Sequence, residues 1–117
     1  MKSFLLAVAL FSFISLMGQS SASESGGEQI VIDNDKMTVV EFTGLPQGDV
    51  CGKGMHHHEP HLTVILTDAT VQMTSKDGES QEVEVPAGSS IWFGAETHSV
   101  INTGDEPTKM ILVYPKE

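Results

Sequence analysis

From residue 29 onward, apolar residues recur at every second position in short runs cut by turn residues. Nowhere do they keep a 3.6-residue period for the length of a helix. This pattern predicts an all-β chain. Gln29–Ile32 and Lys36–Phe42 read as strands divided by the Asp33-Asn34-Asp35 turn, and Gly44 to Gly54, which carries Pro46, reads as a loop. Leu62, Val64 and Leu66 alternate with Thr63, Ile65 and Thr67, as in a strand with one buried face. Taking the more apolar set as the buried one would turn His61 outward, unless a bulge near Pro60 shifts the count. Thr70–Ser75 and Gln81–Val85 flank Lys76-Asp77-Gly78-Glu79, and Asp-Gly between two alternating runs is a strong hairpin signal. Ser90–Phe93, His98–Asn102 and Lys109–Tyr114 complete about eight short strands, the number expected of a sandwich or barrel.

The N-terminus departs from this pattern. Lys2 precedes an unbroken apolar run, Phe4 to Met17, and a small polar stretch through Ser20, Ser21 and Ala22 follows, which is the order of a secretory signal peptide. The run is shorter than the roughly 20 residues a membrane-spanning helix needs, and no basic stop-transfer cluster follows it. Residues 1–22 are therefore expected to be a cleaved leader and 23–28 a polar, Gly-rich segment that frays. Residues 29–117 remain as one β-barrel domain in the periplasm or secreted, with no integral membrane segment after cleavage.

So short a domain sits near the lower limit for a self-sufficient core. It holds one cysteine, Cys51, so an internal disulfide is excluded, and stability must come from a closed fold, a bound metal or self-association. A homodimer through edge strands is the expected assembly. The formal net charge of −10 disfavours nucleic acid and anionic membrane surfaces as partners, leaving a small-molecule ligand.

Candidate chemistry concentrates in Met55-His56-His57-His58-Glu59-Pro60-His61, with the fifth histidine, His98, far away in sequence. On an extended chain side chains alternate, so His56 and His58 share one face while His57 turns the other way, towards a rim or the surface. Two imidazoles so placed are a ready pair of metal ligands, suited to zinc, copper, iron or nickel, and His61 or Glu59 could add a third group.

The stretch Gly88 to Asn102 resembles the second sequence motif of the cupins. Gly88, His98 and Asn102 stand at the spacing of that motif's glycine, histidine and asparagine, with Gly94 in place of its proline and Glu96 in place of its second glycine. His56 and His58 match the His-x-His of the first cupin motif, whereas Leu62 or Thr63 occupies its glutamate position and Ala69 its final glycine. The resemblance implies a double-stranded β-helix, or jelly-roll, barrel with one divalent metal ion inside: Fe, Mn, Zn, Ni or Cu. It implies His56, His58 and His98 as ligands, with His61, Glu59 or water in the fourth place. Glu96 and Asn102 are candidates to orient ligands or move protons, and Glu59 and Trp92 to line the pocket, although packing is the readier role for Trp92. Cys51 precedes the cluster by five residues; an incidental thiol is the favoured reading, ahead of a thiol near the metal or an intermolecular disulfide.

Two functions fit these residues. One is a small metalloenzyme, dioxygenase- or isomerase-like, in which open positions on the metal receive a small molecule. The other is a non-catalytic module that binds a small molecule or a metal, or uses the metal as a structural staple.

Overall fold

The computed structural model describes residues 25–117, so the signal-peptide expectation for 1–22 lies outside the described residues. Nine strands follow in chain order: β1 (Gly27–Asp33), β2 (Met37–Gly44), β3 (His56–His58), β4 (His61–Ile65), β5 (Ala69–Ser75), β6 (Ser80–Val85), β7 (Ser90–Phe93), β8 (Glu96–Asn102) and β9 (Thr108–Pro115). All pairings are antiparallel, in a five-stranded sheet ordered β1-β2-β9-β4-β7 and a four-stranded sheet ordered β3-β8-β5-β6. Among the described residues no helix is long and apolar enough to cross a membrane.

Eight strands fall where alternation places them, within a few residues at each end, and β3 is the addition. The Asp77-Gly78 hairpin forms as its residues require. Gly78 takes φ +93°, its N–H donates to Ser75 O at 2.9 Å, and Ser75 N–H donates to Glu79 O at 2.9 Å. Only glycine enters that backbone region without strain. β1 starts earlier than the pattern indicates, because Gly27 and Glu28 pair with Thr43 and Phe42 of β2.

The core lies between the two sheets. Val40, Phe42, Met110 and Leu112 from the larger sheet meet Val71 and Val100 from the smaller one, with Val50 of the β2–β3 loop sealed among them at 1 % exposure. Burial of such a set supplies most of the driving force, at about 25 cal/mol per Å² of apolar surface removed from water.

The inward face of β4 corrects the alternation argument. His61, Thr63 and Ile65 are buried, while Leu62 and Val64 lie half-buried on the outer face. Alternation itself holds through β4; what fails is taking the more apolar set as the buried one, because β7 and β9 flank β4 and give its outer face apolar neighbours of its own. Leu62 is not stranded in water, because on the outer face it pairs with Trp92 on one side and Val113 on the other.

Candidate metal centre

Strand register builds most of the site. In the β3–β8 pair His56 stands opposite His98 and His58 opposite Glu96. Residues two apart share a face, so these four side chains form one patch, which the curvature of the sheet turns inward. His58 and His98 are buried, with 5 % and 7 % exposure, and His56 is half-buried at the rim.

Cys51 completes the cluster. One ligand atom from each of Cys51, His56, His58 and His98 lies within 4.8 Å of all the others, a group able to hold a metal ion. His56 Nε2 and His58 Nε2 are 2.9 Å apart, and Cys51 Sγ lies 3.5 Å from His56 Nε2 and 3.6 Å from His98 Nε2. The outer nitrogens point elsewhere. His56 Nδ1–H donates to Gly54 O at 2.8 Å, His58 Nδ1 shares a 2.7 Å hydrogen bond with the Tyr114 hydroxyl, and His98 Nδ1 faces the Glu96 carboxylate at 3.6 Å.

These partners decide where the lone pairs point. A carbonyl only accepts, so the proton of neutral His56 sits on Nδ1 and its Nε2 presents a lone pair to His58 Nε2. Two ring nitrogens at that separation need a proton or a metal ion to hold them. Burial, reinforced by the neighbouring imidazoles, pushes His58 down to about 3 and His98 down to about 4, so both rings are neutral at ordinary pH, the form that binds metal. His98 Nδ1 and Glu96 Oε2 are buried with no hydrogen-bond partner among the described residues. Burial also raises the Glu96 carboxyl, although the adjacent imidazoles His61 and His56 oppose this. A cation among the Nε2 atoms would acidify the His98 ring, strengthen Nδ1–H as a donor towards Glu96 and balance that carboxylate.

The other sequence candidates are dispersed. His61 is buried beside the cluster but outside the four-atom group. Its Nδ1–H donates to Glu59 O at 2.7 Å, and its ring packs against His58, Tyr114 and Phe93. The Glu59 carboxylate lies outside, 3.2 Å from the exposed His57, which also hydrogen-bonds Thr97. Trp92 is on the outer face, 57 % exposed, and neither fills the core nor lines the cavity beside the cluster. Asn102 is fully buried away from the histidines: its amide donates to Gly44 O and Glu106 O and accepts from Gly104 N–H, a set that locks the loops at the far end of β8. Cys51, favoured in the sequence as an incidental thiol, stands in the cluster, and Tyr114 is a partner the sequence does not mark. Spacing hints at the thiol, whereas nothing local points to Tyr114, which is 56 residues from its histidine partner.

Beyond the cluster a cavity of about 70 Å³ extends into the core, bounded by Cys51, His58, His61 and His98 at one end and by apolar side chains such as Ile65, Phe93 and Leu112 elsewhere. Polar groups are confined to the histidine end. Burial pushes the Cys51 thiol up to about 12 and the Tyr114 hydroxyl up to about 12, so without a cation nearby neither group ionises.

No family model and no curated protein sequence matches the chain. Solved structures do match. A cupin domain from Bordetella pertussis superposes with a TM-score of 0.71 at 23% identity, covering 80% of this chain and 95% of that one. The polyketide cyclase RemF from Streptomyces resistomycificus gives 0.58 at 24% identity over 77% of this chain and 64% of its own. An RmlC-like cupin from Methanocaldococcus jannaschii gives 0.63 at 8% identity over 81% and 84%. The fold is therefore the double-stranded β-helix of the small cupin barrels, as the His-x-His and Gly88–Asn102 stretches imply. Within that fold Cys51, His56, His58 and His98 form a group that could hold a metal ion, three of them buried and His56 half-buried.

Proposed function

We propose that the protein is an exported metal-binding cupin that holds one divalent ion through His56, His58 and His98 and presents it to a small molecule in the barrel. The carrying observation is the convergence of three imidazole Nε2 atoms from two distant stretches of chain, two of them 2.9 Å apart, with outer nitrogens aimed at Gly54 O, Tyr114 and Glu96. When bound, such an ion supplies Lewis acidity. The chain's own part is to keep the imidazoles neutral and oriented, to exclude bulk water through the apolar walls, and to offer Glu96 as a half-buried carboxylate beside His98. The polyketide cyclase among the structural neighbours fits a small-molecule role.

The test is metal content by plasma mass spectrometry on tag-free protein, comparing wild type with His98→Ala and with the double variant His56→Ala/His58→Ala. Near-stoichiometric metal lost in both variants supports the proposal. Metal retained without His98 would assign binding to the local His run alone. Export is tested by N-terminal sequencing of the protein recovered from a host envelope fraction, with a start just after Ala22 expected.

A non-catalytic reading has its own observation. The cavity beside the cluster, about 70 Å³, holds only a few heavy atoms, and four donor groups already converge there, as in a structural staple. A melting temperature that collapses on chelation, with no exogenous ligand able to reach the bound metal, would favour the staple. Self-association is part of the proposal. All residues of β1, an edge strand, are exposed, including Ile30, Val31 and Ile32, and pairing of this edge with a second copy would cover them. Light scattering should give a dimer that Ile30→Lys/Ile32→Lys converts to monomer.

A further inference from the structure

We infer that Cys51 is a metal ligand, bound as the thiolate, so that the centre is a three-histidine, one-thiolate site selective for borderline and soft ions. The inference rests on the metal-binding reading above and deepens it; with four protein donors in place, a small molecule would reach the ion only as a fifth ligand.

Three observations carry it. The first is distance. An ion bonded to a thiolate at about 2.3 Å and to an imidazole at about 2.0 Å in tetrahedral arrangement sets sulfur and nitrogen roughly 3.5 Å apart. Cys51 Sγ lies 3.5 Å from His56 Nε2 and 3.6 Å from His98 Nε2, and each of those nitrogens is turned inward by a contact at the opposite side of its ring.

The second is construction of the loop. Residues 47–50 run against β8, the strand that carries His98: Gln47 N–H donates to Asn102 O, Asn102 N–H to Gly48 O and Val50 N–H to Val100 O. Cys51 is thus delivered by the same strand as the histidine it faces. Gly54 N–H donates to Asp49 Oδ1 and Gly54 O accepts from His56, which closes the loop around the thiol. Gly52, at φ +153°, packs directly on the His56 ring, where an added Cβ would fall 2.7 Å from Cγ, so no larger residue fits there undisturbed.

The third is charge. A divalent cation with three neutral imidazoles is costly in a buried, largely apolar setting unless anions balance it. A Cys51 thiolate and the Glu96 carboxylate supply two negative charges that balance the two positive charges the ion brings. Sulfur and imidazole together favour zinc, cobalt or copper and disfavour magnesium and calcium, which require oxygen donors.

The test is Co(II) loading of the metal-free protein, read by absorption. Cys51 is the sole cysteine, so a thiolate charge-transfer band belongs to it and not to the thioethers of Met73 and Met110 that line the cavity. The expected result is visible d–d bands together with an intense near-ultraviolet thiolate-to-cobalt band, the latter lost in Cys51→Ser while the d–d bands persist at altered positions. Zinc-loaded wild type, which does not depend on the variant folding, should show a sulfur shell at about 2.3 Å by X-ray absorption. Cobalt or zinc bound with no sulfur signal overturns the inference and leaves the three-histidine site standing. Failure of wild type to bind either ion overturns both.

Discussion

The two ends of strand β8 hold buried polar side chains of opposite character. At one end Asn102 is 0 % exposed, with both donor and acceptor atoms of its amide bonded to backbone groups at 2.8–3.0 Å. At the other His98 is nearly as buried, yet its Nδ1 lacks a hydrogen-bond partner and its Nε2 faces a thiol sulfur and the rings of His56 and His58. A satisfied buried polar group stabilises the fold, whereas a cluster of incompletely satisfied ones is a destabilising feature that persists where something else binds. The asparagine and the histidine stand on one strand, and only their partners distinguish a loop lock from a ligand.

Substitutions at the two ends should therefore separate cleanly. His98→Ala should abolish metal binding while leaving the metal-free protein folded, because it removes a poorly satisfied ring; equilibrium dialysis followed by far-UV circular dichroism checks both halves. Asn102→Ala should do the reverse. It leaves Glu106 O without its side-chain donor and Gly44 O with only the longer 3.4 Å contact from the Thr108 hydroxyl, and costs about 2–4 kcal/mol, read by urea denaturation, with stoichiometric metal retained. A smaller effect is expected from Tyr114→Phe, which removes the hydroxyl that orients His58: about a tenfold weaker metal affinity, measured by competition with a chromophoric chelator.

The smallest effect is one of pH on the metal-free protein. His58 and His98 titrate in the fold at about 3 and about 4, below the 6.5 of a free imidazole, so the unfolded chain takes up protons first as pH falls. The stability of the metal-free protein should be complete above about pH 6.5 and decline as pH drops from there towards 4. Glu96, shifted upward, works in the opposite sense and offsets part of the loss. Thermal midpoints at pH 7.5 and pH 5 test this, and loading with metal should flatten the difference in the range where it stays bound.

The same contrast marks what was legible in the sequence. Alternation located the strands and Asp77-Gly78 located a hairpin, because both signals are local. The His56/His58 pair was legible through alternation and His98 through the resemblance of Gly88–Asn102 to the second cupin motif, while the β3–β8 register that sets them side by side is seen in the structure. Three features were not. The inward turn of His61 depends on β7 and β9 covering the more apolar face of β4, the approach of Cys51 depends on a loop pinned to β8, and the role of Asn102 depends on carbonyls of Gly44, at the end of β2, and of Glu106, in the loop before β9. Each is set by non-local pairing, which a reading of neighbours along the chain does not reach.

The central claim is that distant histidines share one ion, and anomalous diffraction at the metal's absorption edge from crystals of the metal-loaded protein tests it most directly. A single strong peak about 2.0–2.1 Å from the Nε2 atoms of His56, His58 and His98 is the predicted result. A peak between His57 and Glu59 on the surface, or none at all inside the barrel, would contradict it.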